Sequence, residues 1–495
     1  MNYFSSRNKN LNLSFKDIFF KGLSEDGGLF LPHSIPQLSD SITKNFQNYN
    51  FQEMSYEIFK LFIGDSFHSD DLKKIIDKAY SQFRNSKIVD VKKIDHISYV
   101  QLHHGPTLAF KDIAMQVLGG MYEFLLKDNS KKINLVTATS GDTGAAAIDA
   151  IQGKKNINIF VLHPHNKISS VQRQLMTTYD ANNVFNLAIN GSFDDCQKIV
   201  KEMFVDQHFA KKINMSGVNS INWARIIAQI VYYFFIYYKF TDRQRPIVVS
   251  VPTGNFGDVY AGYVAKKMGL NIKELIVATN QNNILQRCII SGEYKPSKVV
   301  QSISPSMDIQ VASNFERILF YLCDENSENL SKLMSDLKEK GYFKLSNKQL
   351  ENLKKYFSAS SCSEDETLTI IKNIYNKFNY LIDPHTATGT KPLLNDKYKK
   401  EPCFCFETAH PSKFPEAIFR AINQKPKFPK DFKTIESKNE KFSILDNKIE
   451  FYDAKYKSRG RYGGLWHCTV RSKSSFYSRT LFGFRGDERC SKARS

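Results

Sequence analysis

The sequence has no hydrophobic run long enough to cross a lipid bilayer. Its longest strongly apolar stretch, Ile226 to Tyr238, contains Gln229 and falls short of the roughly 20 residues that a membrane-spanning helix requires. We therefore predict a buried helix here and no membrane partner. The opening residues, Met1 to Arg7, lack the apolar segment of a secretion signal, and the nearby acids Glu25 and Asp26 argue against a transit peptide. A cytoplasmic location is the expectation.

Cysteine is sparse, and its spacing gives neither a disulfide framework nor a metal site. The eight cysteines among 495 residues include one close pair, Cys403 and Cys405, which would share a face of an apolar strand. Such residues are usually buried free thiols in a reducing compartment. The histidine pairs at 103–104 and 163–165 have too few further ligands around them for a metal centre, so we expect no metal.

Positive charge is in excess, which raises the question of nucleic acid. The formal net charge is +19, but residues 455–495 alone hold eleven basic and two acidic residues. The rest of the excess is spread over the chain without a basic stripe or interleaved aromatic residues, so nucleic acid is not an expected partner. A mildly basic body suits an enzyme that acts on phosphorylated substrates.

Strands and helices alternate through the middle of the chain. Residues 1–95 mix Asn, Lys and Phe in segments that read as helical. From residue 96 onward, apolar runs such as Ile133–Ala138 and Ile247–Val251 precede glycine-containing turns and helices. This alternation predicts an α/β fold with mostly parallel sheets.

Three parts of the chain follow from these patterns. We expect an N-terminal region over 1–95 and a main α/β region over 96–454, with a smaller subdomain around 115–215. The basic Arg/Ser/Gly-rich sequence over 455–495 shows no clear period and reads as a disordered, appended or frame-shifted tail.

Two glycine-containing loops follow predicted strands and precede predicted helices. They are Pro252–Asp258, with the sequence PTGNFGD, and Thr139–Gly144, with the sequence TSGDTG. Backbone N–H groups and the positive end of a helix can bind an anion at such a turn. The first loop matches neither a dinucleotide fingerprint nor a P-loop, so an ordinary turn and a phosphate site are equally good interpretations. For the second, a helix capped by Ser140 or Asp142 competes with a carboxylate site.

Lys111 lies in an apolar setting near a predicted helix start. If the helix begins near Pro106 or Thr107, this lysine is in its first turn, where the helix dipole disfavours positive charge. The neighbours Leu108 and Phe110 would add desolvation. Both effects favour the neutral amine that forms a Schiff base, although an arbitrary lysine is usually a surface charge.

Several longer motifs occur together and in order. They are Tyr3–Arg7, Asp26–Pro32, His104–Asp112, Thr137–Gly144, Asn219–Arg225, Pro252–Asp258, Pro305–Asp308, Asp383–Gly389 and Glu407–Pro415. The set resembles the longer bacterial and fungal type of threonine synthase, within the tryptophan-synthase-β-like, fold type II enzymes of pyridoxal 5′-phosphate. The resemblance spans roughly residues 2 to 453. It implies two open, mostly parallel twisted sheets flanked by helices, with a largely helical N-terminal region.

The resemblance also implies roles for individual residues. Lys111 would bind the cofactor covalently and act in catalysis, and the Thr408 hydroxyl would face the pyridine nitrogen. The cofactor phosphate would be held by Gly254, Asn255, Phe256, Gly257 and Asp258. The substrate would be received by Ser140, Gly141, Asp142, Thr143 and Arg225.

The implied reaction converts O-phospho-L-homoserine and water to L-threonine and phosphate, by γ-elimination and β-addition of water, in a monomer or homodimer. Another fold type II activity, such as a threonine or serine dehydratase, is the nearest alternative and needs no substrate phosphate site. A catalytically idle relative that binds phosphorylated ligands is a second alternative, which the retention of Lys111 and the Gly254–Asp258 loop disfavours. After Asp453 the sequence departs from the family, which usually closes with a helix.

Overall fold

The computed structural model describes residues 1–127, 132–432, 435–447, 450–458 and 461–469. The α-helices of these residues are α1 (Phe15–Lys21), α2 (Asp40–Phe46), α3 (Phe51–Ile63), α4 (Ser69–Tyr80), α5 (Lys111–Leu125), α6 (Asp142–Ile151), α7 (Ser170–Thr177), α8 (Phe193–Val205), α9 (Gln207–Lys212), α10 (Trp223–Phe240), α11 (Gly257–Lys267), α12 (Ile284–Ser291), α13 (Phe315–Leu322), α14 (Ser327–Lys340), α15 (Asn347–Lys354), α16 (Glu364–Phe378), α17 (Pro384–Leu393) and α18 (Pro415–Ile422).

The β-strands of the same residues are β1 (Tyr3–Ser5), β2 (Asn8–Leu13), β3 (Phe30–Pro32), β4 (Asp90–Ile94), β5 (Ile97–Gln101), β6 (Ile133–Ala138), β7 (Ile157–Pro164), β8 (Val184–Asn190), β9 (Met215–Ser216), β10 (Ile247–Pro252), β11 (Ile272–Thr279), β12 (Glu293–Tyr294), β13 (Phe343–Lys344), β14 (Phe357–Ser361), β15 (Cys403–Glu407), β16 (Ser443–Asp446), β17 (Glu450–Ser458) and β18 (Arg461–Thr469).

Two sheets carry the fold. The large sheet has six strands in the order β14-β11-β10-β15-β5-β4, and the small sheet has five in the order β16-β8-β7-β6-β9. All pairs are parallel except β4 with β5. Strands such as β10 are buried along their whole length, as expected where helices cover both faces of a parallel sheet. The predicted α/β class with two open, mostly parallel sheets is confirmed.

The N-terminal region packs helices α1 to α4 beside a three-stranded antiparallel sheet of order β2-β1-β3. Strand β4 pairs with β5, with Asp90 opposite Gln101, so the large sheet begins a few residues before the expected boundary at 95. The small sheet also reaches beyond the expected range of 115–215, because β16 adds to β8 at its edge. No local pattern in the sequence reveals this return of the chain.

Helix α10 is apolar around its whole circumference. Nearly all of its residues are buried, including Gln229, and it contacts α3, α5 and α11. A helix that is hydrophobic all round belongs in a core, so the predicted buried helix is confirmed. Within the described residues, none of the helices combines the length and apolar character that a membrane span requires.

Residues 455–458 and 461–469, within the tail expected over 455–495, belong to strands. Strands β17 and β18 form an antiparallel pair in which Ser458 lies opposite Arg461. This pair forms a sheet of its own. Residues 470–495 lie outside the described part of the chain.

Candidate active site

The predicted site residues lie where parallel strands end. Strands β5, β15, β10 and β11 run parallel in the large sheet, so their carboxyl ends share one edge. The segments that follow them lead to Lys111, Thr408, the Gly254–Asp258 loop and Asn280. In the small sheet, β6 ends directly before the Thr139–Thr143 loop. Ligands of open α/β sheets bind at such carboxyl edges.

Lys111 is the first residue of α5 and is only 8% exposed. Its Nζ atom donates a hydrogen bond to Oδ2 of Asp142 at 3.2 Å and lies 4.8 Å from the centre of the Phe110 ring. The predicted first-turn position is confirmed, and so is the apolar neighbour.

The predicted start of this helix at Pro106 or Thr107 is wrong. The Asp112 carboxylate accepts hydrogen bonds from the backbone N–H and hydroxyl of Thr107, and Leu108 has a φ of 61°. These features make a separate turn before the helix. The turn carries the chain into α5 so that Lys111 opens the helix.

Asp142 lies at the start of α6, and four donors saturate its buried carboxylate. Oδ1 accepts from Lys413 Nζ at 2.6 Å and from Gln172 Nε2 at 3.2 Å. Oδ2 accepts from Lys111 Nζ at 3.2 Å and from Ser306 Oγ at 2.9 Å. Two buried ammonium groups therefore share one carboxylate, and each contacts a different oxygen.

The electrostatics of this cluster lower the pKa values of both Lys111 and Asp142. Burial lowers the pKa of Lys111, and the positive charges of Lys413 and Arg225 lower it further, while Asp142 opposes them. For Asp142, burial would raise the pKa, but Lys111 and Lys413 together hold it well below its usual value. The cluster thus consists of an ionised carboxylate and a lysine whose proton is held weakly.

Helix α6, which follows the loop after β6, has an N-cap residue other than the two that the sequence suggested. Gly141, with a φ of 133°, occupies the N-cap position, so the prediction of Ser140 or Asp142 as N-cap is wrong. The Thr139 hydroxyl oxygen accepts hydrogen bonds from the N–H groups of Gly141 at 3.0 Å and Gly144 at 2.9 Å. Because Thr139 satisfies these donors, the Asp142 side chain can turn to the lysines.

The Gly254–Asp258 loop has the backbone shape of an anion cradle. Phe256 is left-handed, with a φ of 65°, and α11 begins directly after it. A Cβ atom added at Gly254 would lie 2.6 Å from the carbonyl oxygen of Ser306, so the backbones approach too closely for any side chain. The loop therefore presents the N–H groups at the start of α11 at the edge of the sheet.

Asp258 differs from the rest of this loop, because its side chain faces helix α10. Oδ1 accepts hydrogen bonds from the hydroxyls of Tyr232 at 2.5 Å and Tyr233 at 3.2 Å, while Oδ2 has no partner. Burial raises the pKa of Asp258 to about 7. Its backbone N–H, and not its carboxylate, is the group suited to a phosphate.

Thr408 is held beside the lysine by a short antiparallel pairing. The N–H of Phe110 donates to the carbonyl of Thr408 at 2.9 Å, and Ala109 and Ala409 form an isolated β-bridge. Thr408 is buried. The structure thus places the residues before Lys111 against the residues after β15.

Arg225, in the first turn of α10, is a buried cation. Its Nη1 donates to the carbonyl of Val218 at 3.4 Å, and its Nε has no hydrogen-bond partner. Burial lowers its pKa to about 10. Asn314 links the segment before α10 to the Gly254–Asp258 loop. Its Nδ2 donates a hydrogen bond to the carbonyl oxygen of Ser220. The same atom would lie 3.1 Å from a Cβ added at Gly257.

A cavity of about 420 Å³ opens beside the Asp142 cluster. Ser140 and Gln172 line it from the small sheet, and Ser302, Pro305 and Asp308 line it from the segment after β12. Lys167 is the one basic side chain among the described residues that line it, whereas Arg225 does not line it. Asp194 and Glu416 add two more carboxyl groups.

The sequence did not single out several residues that the structure brings to Lys111. Lys413, Ser306 and Gln172 all bind the carboxylate of Asp142, and His385 Nε2 accepts from the backbone N–H of Ser306 at 3.3 Å. Lys413, Ser306 and His385 lie in motifs that carry the family resemblance. Their presence in these motifs was the one sequence feature that pointed to a role in the site. A motif alone does not show which of its side chains face the site.

Three family profiles match the chain. They are described as threonine synthase N terminus over residues 2–80, pyridoxal-phosphate dependent enzyme over residues 88–402, and threonine synthase, C-terminal over residues 386–454. Together they cover most of the N-terminal region, both parallel sheets and the chain as far as the first half of β17.

Relatives and solved structures agree with these profiles. The chain is 38% identical to the threonine synthase of Pseudomonas aeruginosa, over 93% of this chain and 100% of that protein. It is 41% identical to the threonine synthase of Schizosaccharomyces pombe, over 86% and 90% of the two chains. The crystal structure of pyridoxal-phosphate-bound threonine synthase from Brucella melitensis is similar with a TM-score of 0.87 and 41% identity, over 90% and 97% of the two chains.

Proposed function

Because the chain belongs to the threonine synthase family, we propose that it converts O-phospho-L-homoserine and water to L-threonine and phosphate, with pyridoxal 5′-phosphate as its cofactor. The observation that carries this proposal is the buried contact between Lys111 and Asp142, beside the N–H-rich loop at the start of α11. That combination provides a lysine for a covalent bond and a cradle for a phosphate.

The residues present fit this cofactor. Lys111 would bind it covalently, since burial and two nearby cations favour the nucleophilic neutral amine. Gly254, Asn255, Phe256, Gly257 and the backbone of Asp258 would hold its phosphate. Thr408 would offer a neutral hydroxyl to the ring nitrogen and so leave that nitrogen largely unprotonated.

The cofactor, when bound, supplies an electron sink for negative charge that develops on the substrate carbons. Lys111, once released by the substrate, would take the α-proton and move protons at the β and γ carbons. Asp142 would receive the resulting Lys111 ammonium, at the position it has in the structure. The saturated carboxylate does not compete for these protons, because its pKa is held low.

The substrate would enter through the cavity beside Asp142. Ser140, Gly141, Asp142 and Thr143 lie at the start of α6, where backbone N–H groups can bind the α-carboxylate. Lys167 is the side chain in the cavity that can pair with the phosphate dianion, since the other charged lining residues are carboxyl groups.

The position of Arg225 favours a role different from the predicted one. It does not line the cavity, and the segment before it contacts the region of Gly257 through Asn314. We propose that its unpaired charge attracts the cofactor phosphate more than the substrate phosphate. Arg225→Met should then lower cofactor affinity more than it raises KM for the substrate; the reverse ranking would restore the substrate role.

We also propose that 96–454 acts as the catalytic region, joined to the helical N-terminal region 1–95, in a cytoplasmic monomer or homodimer that does not bind nucleic acid. The charge distribution supports the last point, since no basic stripe lies in the catalytic region.

Competition by inorganic phosphate tests the proposed substrate site. We expect phosphate to compete with O-phospho-L-homoserine, and Lys167→Met to raise the KM of the substrate and the inhibition constant of phosphate together, by about tenfold. Cofactor content should stay unchanged. Lys198→Met is the matched control, because Lys198 is an exposed lysine paired with Glu202 on α8. If Lys167→Met changes neither constant, the substrate phosphate binds elsewhere.

A further inference from the structure

Lys413 is a buried cation for which the proposed reaction has no step. It lies in the short turn after Thr408, has 0% exposure, and contacts Oδ1 of Asp142 at 2.6 Å. Its Nζ also donates to the carbonyl of Thr107 at 2.9 Å. A fully buried lysine is costly unless it is paired, so its place beside the cofactor lysine requires a reason.

The charge balance of the cluster supplies that reason. In the structure two ammonium groups share the single carboxylate of Asp142. When Lys111 gives up its charge, Asp142 keeps Lys413 as its partner, together with the neutral donors Gln172 and Ser306. Without Lys413, loss of charge at Lys111 would leave a buried and unpaired anion, which is strongly unfavourable.

We propose that Lys413 is a positioning residue that balances the charge of Asp142, so that Lys111 is free to leave that carboxylate as a neutral amine. The inference rests on the proposed function in taking Lys111 as the residue that binds the cofactor. It assigns to Lys413 no contact with substrate or cofactor.

The other charged groups near Lys111 do not replace Lys413. Arg225 on α10 adds positive charge at Lys111 but makes no ion pair with a described acid. Asp258 on α11 is bound by Tyr232 and Tyr233. His385 on α17 helps to lower the pKa of Asp142, and it accepts a hydrogen bond from the backbone N–H of Ser306. Lys413 alone among the described basic residues shares the carboxylate with Lys111.

Covalent uptake of cofactor by the full chain provides the test. The protein is freed of cofactor with hydroxylamine, mixed with pyridoxal 5′-phosphate across a pH series, and the rate of borohydride-reducible attachment at Lys111 is measured. The midpoint of this pH profile reports when Lys111 becomes neutral. In Lys413→Met we expect the midpoint to rise by at least about one pH unit, and uptake at neutral pH to slow by about tenfold.

Three further variants separate charge from structure. Lys413→Gln keeps a hydrogen-bond donor but removes the charge, so it should shift the midpoint as Lys413→Met does. The double variant Asp142→Asn/Lys413→Met removes both charges and should return the midpoint to the wild-type value or below it. Lys391→Met, which breaks a partly exposed pair with Glu366, should leave the profile unchanged.

The proposal is overturned if both Lys413 variants keep the wild-type midpoint, if Gln alone restores it, or if the double variant keeps the raised midpoint. Should the Lys413 variants fail to fold, Asp142→Asn alone decides: a lower midpoint supports the shared carboxylate, and an unchanged one contradicts it. Failure of the proposed function is distinguishable, because it shows as a wild-type protein that takes up cofactor at Lys111 yet forms no threonine.

Discussion

The Nζ atom of Lys111 lies 3.2 Å from Oδ2 of Asp142, and this contact joins the start of α5 to the loop that leaves the small sheet. The two residues come from separate motifs, and both are buried. Their contact brings the lysine that would bind the cofactor to the loop that would receive the substrate.

Lys111→Ala should abolish covalent attachment of the cofactor. Wild-type protein treated with borohydride and then denatured should retain one bound cofactor. The variant should retain none, because Lys413, the other lysine buried among the described residues, is paired with Asp142 and Thr107. Mass spectrometry of the denatured chains measures this. Reduced cofactor still attached to the variant would show that another amine forms the bond.

Gly254→Ala should weaken cofactor binding by at least about tenfold. The added Cβ would lie 2.6 Å from the carbonyl oxygen of Ser306, and moving either backbone would open the cradle. Titration of the full chain with cofactor measures the affinity. Gly153→Ala is the control, since Gly153 has a φ of 69° and open space around it; it should cost about 1 kcal/mol of stability without changing cofactor affinity. Equal affinities in the two variants would contradict the cradle.

The stability of Asp258→Asn, measured relative to the wild type, should increase as pH rises. The pKa of Asp258 is raised by burial to about 7, whereas in the unfolded chain it is about 3.9. Ionisation of this carboxyl therefore lowers the free energy of unfolding of the wild-type protein as pH rises from about 4 to about 7. The decrease is on the order of 4 kcal/mol at most and is complete above pH 7.

Urea unfolding at pH 5 and pH 8 measures this effect. The midpoint of Asp258→Asn minus that of wild type should be larger at pH 8, since Asn keeps an acceptor for Tyr232 and Tyr233 and does not ionise. A difference that is equal at the two pH values, or smaller at pH 8, would show that Asp258 is already ionised in the folded protein.

Removing residues 455–495 should leave turnover intact and reduce retention on heparin. The segment carries eleven basic and two acidic residues, and β17 and β18 pair only with each other among the described residues. Turnover and heparin elution of the full and shortened chains provide the comparison. Loss of activity with an unchanged circular dichroism spectrum would show that the segment belongs to the working enzyme.

Much of the fold could be predicted because its strands are local and strongly patterned. The runs Ile133–Ala138 and Ile247–Val251 are buried on both faces, and both occur as strands where expected. The return of β16 to the small sheet could not be predicted, because its pairing with β8 joins segments more than 200 residues apart and depends on tertiary packing. The start of α5 was misplaced because the side chain of Asp112 stabilises a turn that backbone propensity does not reveal.

The site could be predicted only in part for a related reason. Glycine loops and an apolar lysine have local signatures, and Lys111 is buried at a helix start as expected. Lys413 has no such signature, since a lysine between Ser412 and Phe414 usually lies at the surface. Its burial arises from Asp142, which lies far away in sequence. Charge pairing of this kind becomes visible only when the two sheets are in place.

The most direct test of the central claim is the product balance with O-phospho-L-homoserine. Purified protein with bound cofactor should release inorganic phosphate and L-threonine in a 1:1 ratio, and should leave unphosphorylated homoserine almost untouched. The reason is that a phosphate monoester provides both charge-assisted binding and a leaving group. Conversion of threonine or serine to a keto acid at a much higher rate, with no phosphate-linked formation of threonine, would contradict the account and assign the site to a dehydratase.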